Sequence, residues 1–210
     1  MTNIVIIGAS NPTIFGLIED INETIKSKYL ILGVLDNNHE NLSDEVFGYQ
    51  ILGGFEKILQ FSCDDVVLIN AIAGSMKVRR ETTNYFLEKN YRFTTLIHPS
   101  VKVRYSSIGV GSIIYQNAML HPYTTIGEHC IISSLVGIAH EAEIENFCFV
   151  GPASYVCGKV YIKSGSYLGV GCRILPRITI GKNATIAACS MVNKDVADSQ
   201  RVQGIPSREF

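Results

Sequence analysis

Two adjacent polar residues, His140 and Glu141, interrupt the small and apolar run GIAHEAEIENFCFVGP at 137–152. An imidazole titrates near neutrality. A carboxylate bonded to one ring nitrogen fixes the tautomer and leaves the other nitrogen able to take a proton. The pair is therefore a candidate general base with its orienting acid. The other four histidines offer less. His98 precedes Pro99, His39 lies in the polar stretch DNNHENLSDE, and His121 and His129 fall on different faces from His140 in the repeat described next. They make a poor three-histidine zinc set. Cys63, Cys130, Cys148, Cys157, Cys172 and Cys189 contain no C-x-x-C spacing, so no metal is expected.

The element that must position His140 is a repeat of period six. Every sixth residue from Ile108 to Val192 is Ile, Leu or Val, fifteen positions without a gap. If about a quarter of residues were of these types, chance agreement would be on the order of one in a billion. The position four later, from Ser112 to Val196, is almost always small and takes in Cys130, Cys148 and Cys172. One large and one small inward residue per hexapeptide is the signature of a parallel β-helix with eighteen residues per three-sided coil. A period of six would scatter these positions over different faces of an α-helix. Residues eighteen apart then stack in corner columns. One column reads Pro122, His140, Gly158, Pro176, a second Ser134, Pro152, Val170, Ala188, and a third Glu128, Asn146, Ser164, Lys182. Gly158 leaves room and accessible backbone beside the imidazole.

Before the repeat, residues 1–97 alternate strand and helix signals. NIVIIG (3–8), LILGVLD (30–36), DVVLINA (65–71) and FTTLI (93–97) read as strands. Ile14, Ile18, Ile21 and Ile25 share one helical face behind Asn11 as N-cap and Pro12 at the first helical position, and a second helix is expected near 75–90. This alternation implies a parallel sheet with covered faces. The expected fold class is α/β plus all-β: a small Rossmann-like domain over 1–97, then a left-handed parallel β-helix over 98–210. Net charge is −1 among 210 residues, so no electrostatic footprint points to nucleic acid or an anionic membrane. No apolar run reaches the length of a membrane span, and a cytoplasmic location is the expectation.

The hexapeptides IGVGSI, IGEHCI, LGVGCR and IGKNAT resemble those of the left-handed β-helix acyltransferases. IISSLVGIAHEAEIENFCFVGP (131–152) is similar, without a gap, to the active-site segment of bacterial nucleotide-sugar acetyltransferases. These include the UDP-4-amino-sugar N-acetyltransferases and the sialic acid O-acetyltransferases. IHPS (97–100), LGVGCRILP (168–176) and VQGIPS (202–207) carry the likeness along the chain. The resemblance implies that His140 is the catalytic base and Glu141 its acidic partner. It further implies acetyl-CoA as co-substrate, met by Phe149, Gly158, Val170 and Ala188 in a groove between the prisms of a homotrimer. The nucleotide part of the acceptor would be received by Gly8, Ser10, Asn11 and Pro12 together with Asp36 and Asn37. The implied reaction is N-acetylation of a UDP-linked amino sugar. Sugar O-acetylation and a non-catalytic scaffold are the alternatives. Three positions depart from the family: Phe149 stands where a second histidine is common, Asn11-Pro12 where Gly-His is usual, and Ala139 where Glu is frequent.

Overall fold

The structure, a computed structural model, describes residues 1–25 and 29–209. The chain divides into two compact units, Met1–Thr95 and Leu96–Phe210.

The first unit is a sheet of β1 (Thr2–Ile7), β2 (Tyr29–Leu35), β3 (Glu45–Val46), β4 (Tyr49–Gly53), β5 (Val67–Asn70) and β6 (Arg92–Phe93), in the order β3-β4-β2-β1-β5-β6. All pairings are parallel except the β3–β4 hairpin. Helix α1 (Thr13–Thr24) buries Ile14, Phe15, Leu17, Ile18 and Ile21. Ile25, expected on the same face, is extended at φ −107° and ψ 138° and lies exposed beyond the helix. Helix α2 (Met76–Leu87) starts at Ser75, whose side chain accepts a hydrogen bond from the Val78 amide. The expected strand at 93–97 is two pieces. Arg92–Phe93 pairs with β5, whereas Leu96–Ile97 pairs with Ile113–Ile114 in the second unit. Two sheet edges compete for this segment, and each takes two residues. The boundary therefore falls two residues before the expected one.

In the second unit, fifteen two-residue strands follow at intervals of six, from Ser107–Ile108 to Met191–Val192. Each of the first twelve pairs in parallel with the strand eighteen residues on, giving a three-sided parallel β-helix. Face one holds the strands that begin at 107, 125, 143, 161 and 179; face two those at 113, 131, 149, 167 and 185; face three those at 119, 137, 155, 173 and 191. The second residue of each strand points inward, and one continuous apolar core runs from Val101 to Val202.

Two regularities lock the coils together. The second residue of each corner is left-handed, from Tyr105 (φ 61°) through Glu141 (φ 58°) to Cys189 (φ 59°). This costs non-glycine residues about 1 kcal/mol each. From His129 to Cys189 each such residue donates its amide to the carbonyl nineteen residues earlier, as Glu141 does to Pro122 at 3.2 Å. The inward small position supplies the second lock. Ser112, Thr124, Cys130, Cys148, Ser154, Ser166 and Cys172 each donate to the carbonyl fifteen residues ahead. Buried carbonyls that would otherwise be desolvated alone are thereby satisfied. No helix among the described residues is long and apolar enough to cross a membrane.

Candidate active site

His140 and Glu141 occupy the corner between faces three and one, after the strand Gly137–Ile138 and before Glu143–Ile144. The His140 Nδ1 and Glu141 Oε2 atoms are 2.9 Å apart, with side chains 58% and 47% exposed. An ionised carboxylate only accepts, so the proton of this bond sits on Nδ1, and in the neutral imidazole Nε2 is then the nitrogen with the lone pair. The bond from His140, aided by the charge of Lys159 and its hydrogen bond, holds the Glu141 carboxyl below the usual carboxylate range. Lys159 Nζ stands 3.5 Å from Glu141 Oε1.

Gly158 lies in the next coil of the same column, and the Arg177 amide donates to its carbonyl at 3.1 Å. A Cβ at Gly158 would stand 2.7 Å from His140 Nε2 and 2.9 Å from Cε1, inside van der Waals contact. A side chain at Gly158 would push the imidazole aside. A shallow depression of about 400 Å³ adjoins the pair, lined by Glu141, Glu143, Lys159, Val160 and Tyr161.

The other implied cofactor residues lie elsewhere on the prism. Val170 and Ala188 are exposed and stacked at the corner between faces two and three, where the Cys189 amide donates to the Val170 carbonyl at 2.7 Å. Phe149 is on face two, opposite the corner of His140. It is 9% exposed, and its ring stacks on Tyr167 at 4.5 Å and 9°.

The six residues expected to receive a nucleotide gather at the carboxyl ends of β1, β2 and β5. Gly8 (φ 95°) donates its amide to the Leu35 carbonyl at 2.8 Å. Asn11 donates from Nδ2 to the Ala71 carbonyl at 3.2 Å and accepts from the Thr13 hydroxyl at 2.6 Å. Ser10 and Pro12 are exposed. Asp36 accepts two backbone amides, Oδ2 that of Ala9 at 2.9 Å and Oδ1 that of Asn38 at 2.8 Å. Asn37 Oδ1 likewise accepts the Phe55 amide at 2.8 Å. These two side chains shape the turn.

Of the remaining histidines, His129 is buried against the Phe147 ring at 5.1 Å, His98 Nδ1 lies 2.8 Å from the Ser100 hydroxyl, and His39 Nδ1 lies 3.0 Å from the Asp36 carbonyl oxygen. Among the described residues no group of three or more His, Cys, Asp or Glu side chains could hold a metal ion. The sequence reading passed over Lys159. Its signal was there in the register of eighteen, which sets an acid at 141 and a base at 159 in one column.

Compared with the sequence models of known families, the chain matches none. Among curated proteins it is 29% identical over 102 residues, 49% of this chain, to UDP-3-O-acylglucosamine N-acyltransferase of Caulobacter sp. strain K31. The chain spans less than a third of the length of the curated relatives it matches. Among solved structures it is similar to perosamine N-acetyltransferase of Caulobacter crescentus, a histidine-to-asparagine variant in complex with CoA and GDP-perosamine. That likeness has a TM-score of 0.89 and 23% identity, and covers 100% of this chain and 97% of the other. It is also similar to the acetyltransferase domain of PglB from Neisseria gonorrhoeae in complex with acetyl coenzyme A. There the TM-score is 0.88 at 20% identity, and the coverage is 99% of this chain and 98% of the other. At these identities the likeness is one of fold.

Proposed function

We propose that the chain is an acetyl-CoA-dependent acetyltransferase acting on the amino group of a nucleotide-linked sugar, with His140 as general base. The observation that carries this reading is the 2.9 Å bond from His140 Nδ1 to Glu141, with Nε2 left open beside Gly158. In the reaction the neutral amine attacks the thioester carbonyl and Nε2 takes its proton. The tetrahedral intermediate then collapses, and the departing thiolate recovers that proton as CoA–SH. The proteins of like fold support the substrates, since one is solved with CoA and GDP-perosamine and another with acetyl-CoA.

The β-helix is left-handed in this reading. The first unit is Rossmann-like and receives the nucleotide at its first turn, through Gly8, Ser10, Asn11 and Pro12 at the start of α1. Asp36 and Asn37 hold that turn in shape. Phe149, Val170 and Ala188 cannot share a groove with His140 inside one prism, because face three separates the two corners and Phe149 lies on the opposite face. A homotrimer supplies the missing wall, with acetyl-CoA between neighbouring prisms. Sedimentation of the active protein as a monomer would overturn this part. The enzyme works in the cytoplasm, where acetyl-CoA is at hand.

The test is release of CoA thiol from acetyl-CoA with two acceptors, UDP-4-amino-4,6-dideoxy-N-acetylglucosamine and GDP-perosamine, for wild type and His140→Ala. Wild-type turnover with one acceptor, falling about 10²-fold or more in the variant, is the expected outcome. The preferred acceptor identifies the base, UDP being the expectation from the sequence. An alkali-labile O-acetyl product would move the reading to a hydroxyl acceptor, and a fully active variant would remove His140 from the chemistry.

A further inference from the structure

We propose that Lys159 is a positioning residue for the His140 base, holding Glu141 from the side away from the imidazole. The inference rests on the reading of His140 as base. Its geometry is independent of which acceptor is used. Glu141 has two carboxylate oxygens and spends them on two partners, Oε2 on His140 Nδ1 at 2.9 Å and Oε1 on Lys159 Nζ at 3.5 Å. A carboxylate about half exposed, on a side chain with three rotatable bonds, would otherwise exchange its imidazole bond for water. A second anchor at the other oxygen restricts that motion.

The fold brings Lys159 to this place by its own regularity. Residues 141 and 159 are eighteen apart and occupy the same left-handed corner position, at φ 58° and 60°. The Lys159 amide donates to the His140 carbonyl at 3.1 Å. Lys159 therefore grips the catalytic corner twice, by backbone at His140 and by side chain at Glu141. The next residue in the column, Arg177, repeats the backbone grip on Gly158, at 3.1 Å. A lysine in this column that served only solubility would have no reason to point along the column at the carboxylate of the coil before it.

The consequence is for the tautomer. With Glu141 fixed, Nδ1 keeps the proton and Nε2 the lone pair. With Glu141 free to swing away, the imidazole drifts toward its intrinsic preference for a proton on Nε2, which cannot accept one from the substrate. Because the pair is exposed, the effect is small. An exposed ion pair corresponds to roughly a two- to fivefold change in rate.

The experiment compares wild type, Lys159→Met, Lys159→Arg, Glu141→Gln and the double variant Glu141→Gln/Lys159→Met. Lys159→Met is expected to lower kcat about two- to fivefold with KM for both substrates unchanged, and Lys159→Arg to restore it. In the Glu141→Gln background, Lys159→Met should have no further effect, since nothing is left for it to hold. An equal loss in both backgrounds, or a rise in KM alone, would overturn the proposal and make Lys159 a substrate contact. A second readout needs no turnover. Imidazole ¹⁵N spectra of His140 should show the Nδ1–H form in wild type and a larger share of Nε2–H in Lys159→Met. An unchanged spectrum would overturn the inference even if the acetyl-transfer reading stood. A shifted spectrum in a protein without acetyl-transfer activity would keep it.

Discussion

Glu141 and Asp36 are both acids in turns that follow strands, and both were singled out as members of a site. Their surroundings differ. Glu141 gives its oxygens to two side chains, His140 and Lys159, at 2.9 and 3.5 Å. Asp36 gives both oxygens to backbone amides, of Ala9 and Asn38, at 2.9 and 2.8 Å. The β-helix explains the contrast. At the corner of His140 the backbone is satisfied by the coils above and below, as in the bonds from Glu141 to Pro122 and from Lys159 to His140, so its side chains are left over for chemistry. The turns of the first unit have no neighbouring copy, and there the side chains must close the loop themselves.

The contrast breaks if exchanging the two acids has the same consequence. Glu141→Gln is expected to lower kcat about 10- to 100-fold, with the thermal midpoint almost unmoved. The amide would donate to Nδ1 and so favour the tautomer whose Nε2 is already protonated. Steady-state kinetics beside a melting curve check this. A large fall in the midpoint would mean that Glu141 is a structural acid like Asp36.

Asp36→Asn is the converse. An amide nitrogen cannot accept, so one of the two backbone amides loses its partner, at a cost of about 1–2 kcal/mol. The midpoint of the variant should fall by several degrees, with kcat at saturating acceptor unchanged. A rise in KM for the acceptor without a change in melting would return Asp36 to the nucleotide contacts.

The same difference decides what could be read from the sequence. In the β-helix each inward position recurs fifteen times, so Ile108 to Val192 and Ser112 to Val196 were legible as core, and the column of His140 and Gly158 followed from register alone. The left-handed corner residue was not legible. Of its fifteen positions from Tyr105 to Cys189 only Gly111, Gly165 and Gly171 are glycine. The conformation is held by hydrogen bonds between coils, which leaves residue type free. Nor was the donor role of the small inward residues visible, because size accounts equally well for Ser, Cys and Ala. In the first unit β1, β2 and β5 were legible as apolar runs. The β3–β4 hairpin was not, since it turns through Phe47 and Gly48, both at positive φ, where Asn-Gly would be the usual signal. The same holds for Asp36, whose residue type fits either a ligand contact or a turn, and only the amides of Ala9 and Asn38 decide between them.

A third acid, Glu145, gives the smallest effect and tests whether the β-helix also uses acids to fasten coils. Its Oε1 accepts the Tyr161 hydroxyl and its Oε2 the Ser164 amide at 2.8 Å, both from the following coil. The Tyr161 bond first, and then the Ser164 amide, hold its carboxyl below the usual range. A group whose pKa is depressed by folding stabilises the native state above the unfolded value, about 4.3 for a glutamate. That contribution is lost as pH falls through the folded value. Denaturant midpoints should therefore hold steady from neutrality down to about pH 5 and decline below it. Glu145→Gln should start lower at pH 7 and decline less steeply, because the group that must be protonated is gone. Identical slopes for variant and wild type would show that Glu145 fastens nothing, leaving this corner to the apolar column, the inward donors and the backbone ladder.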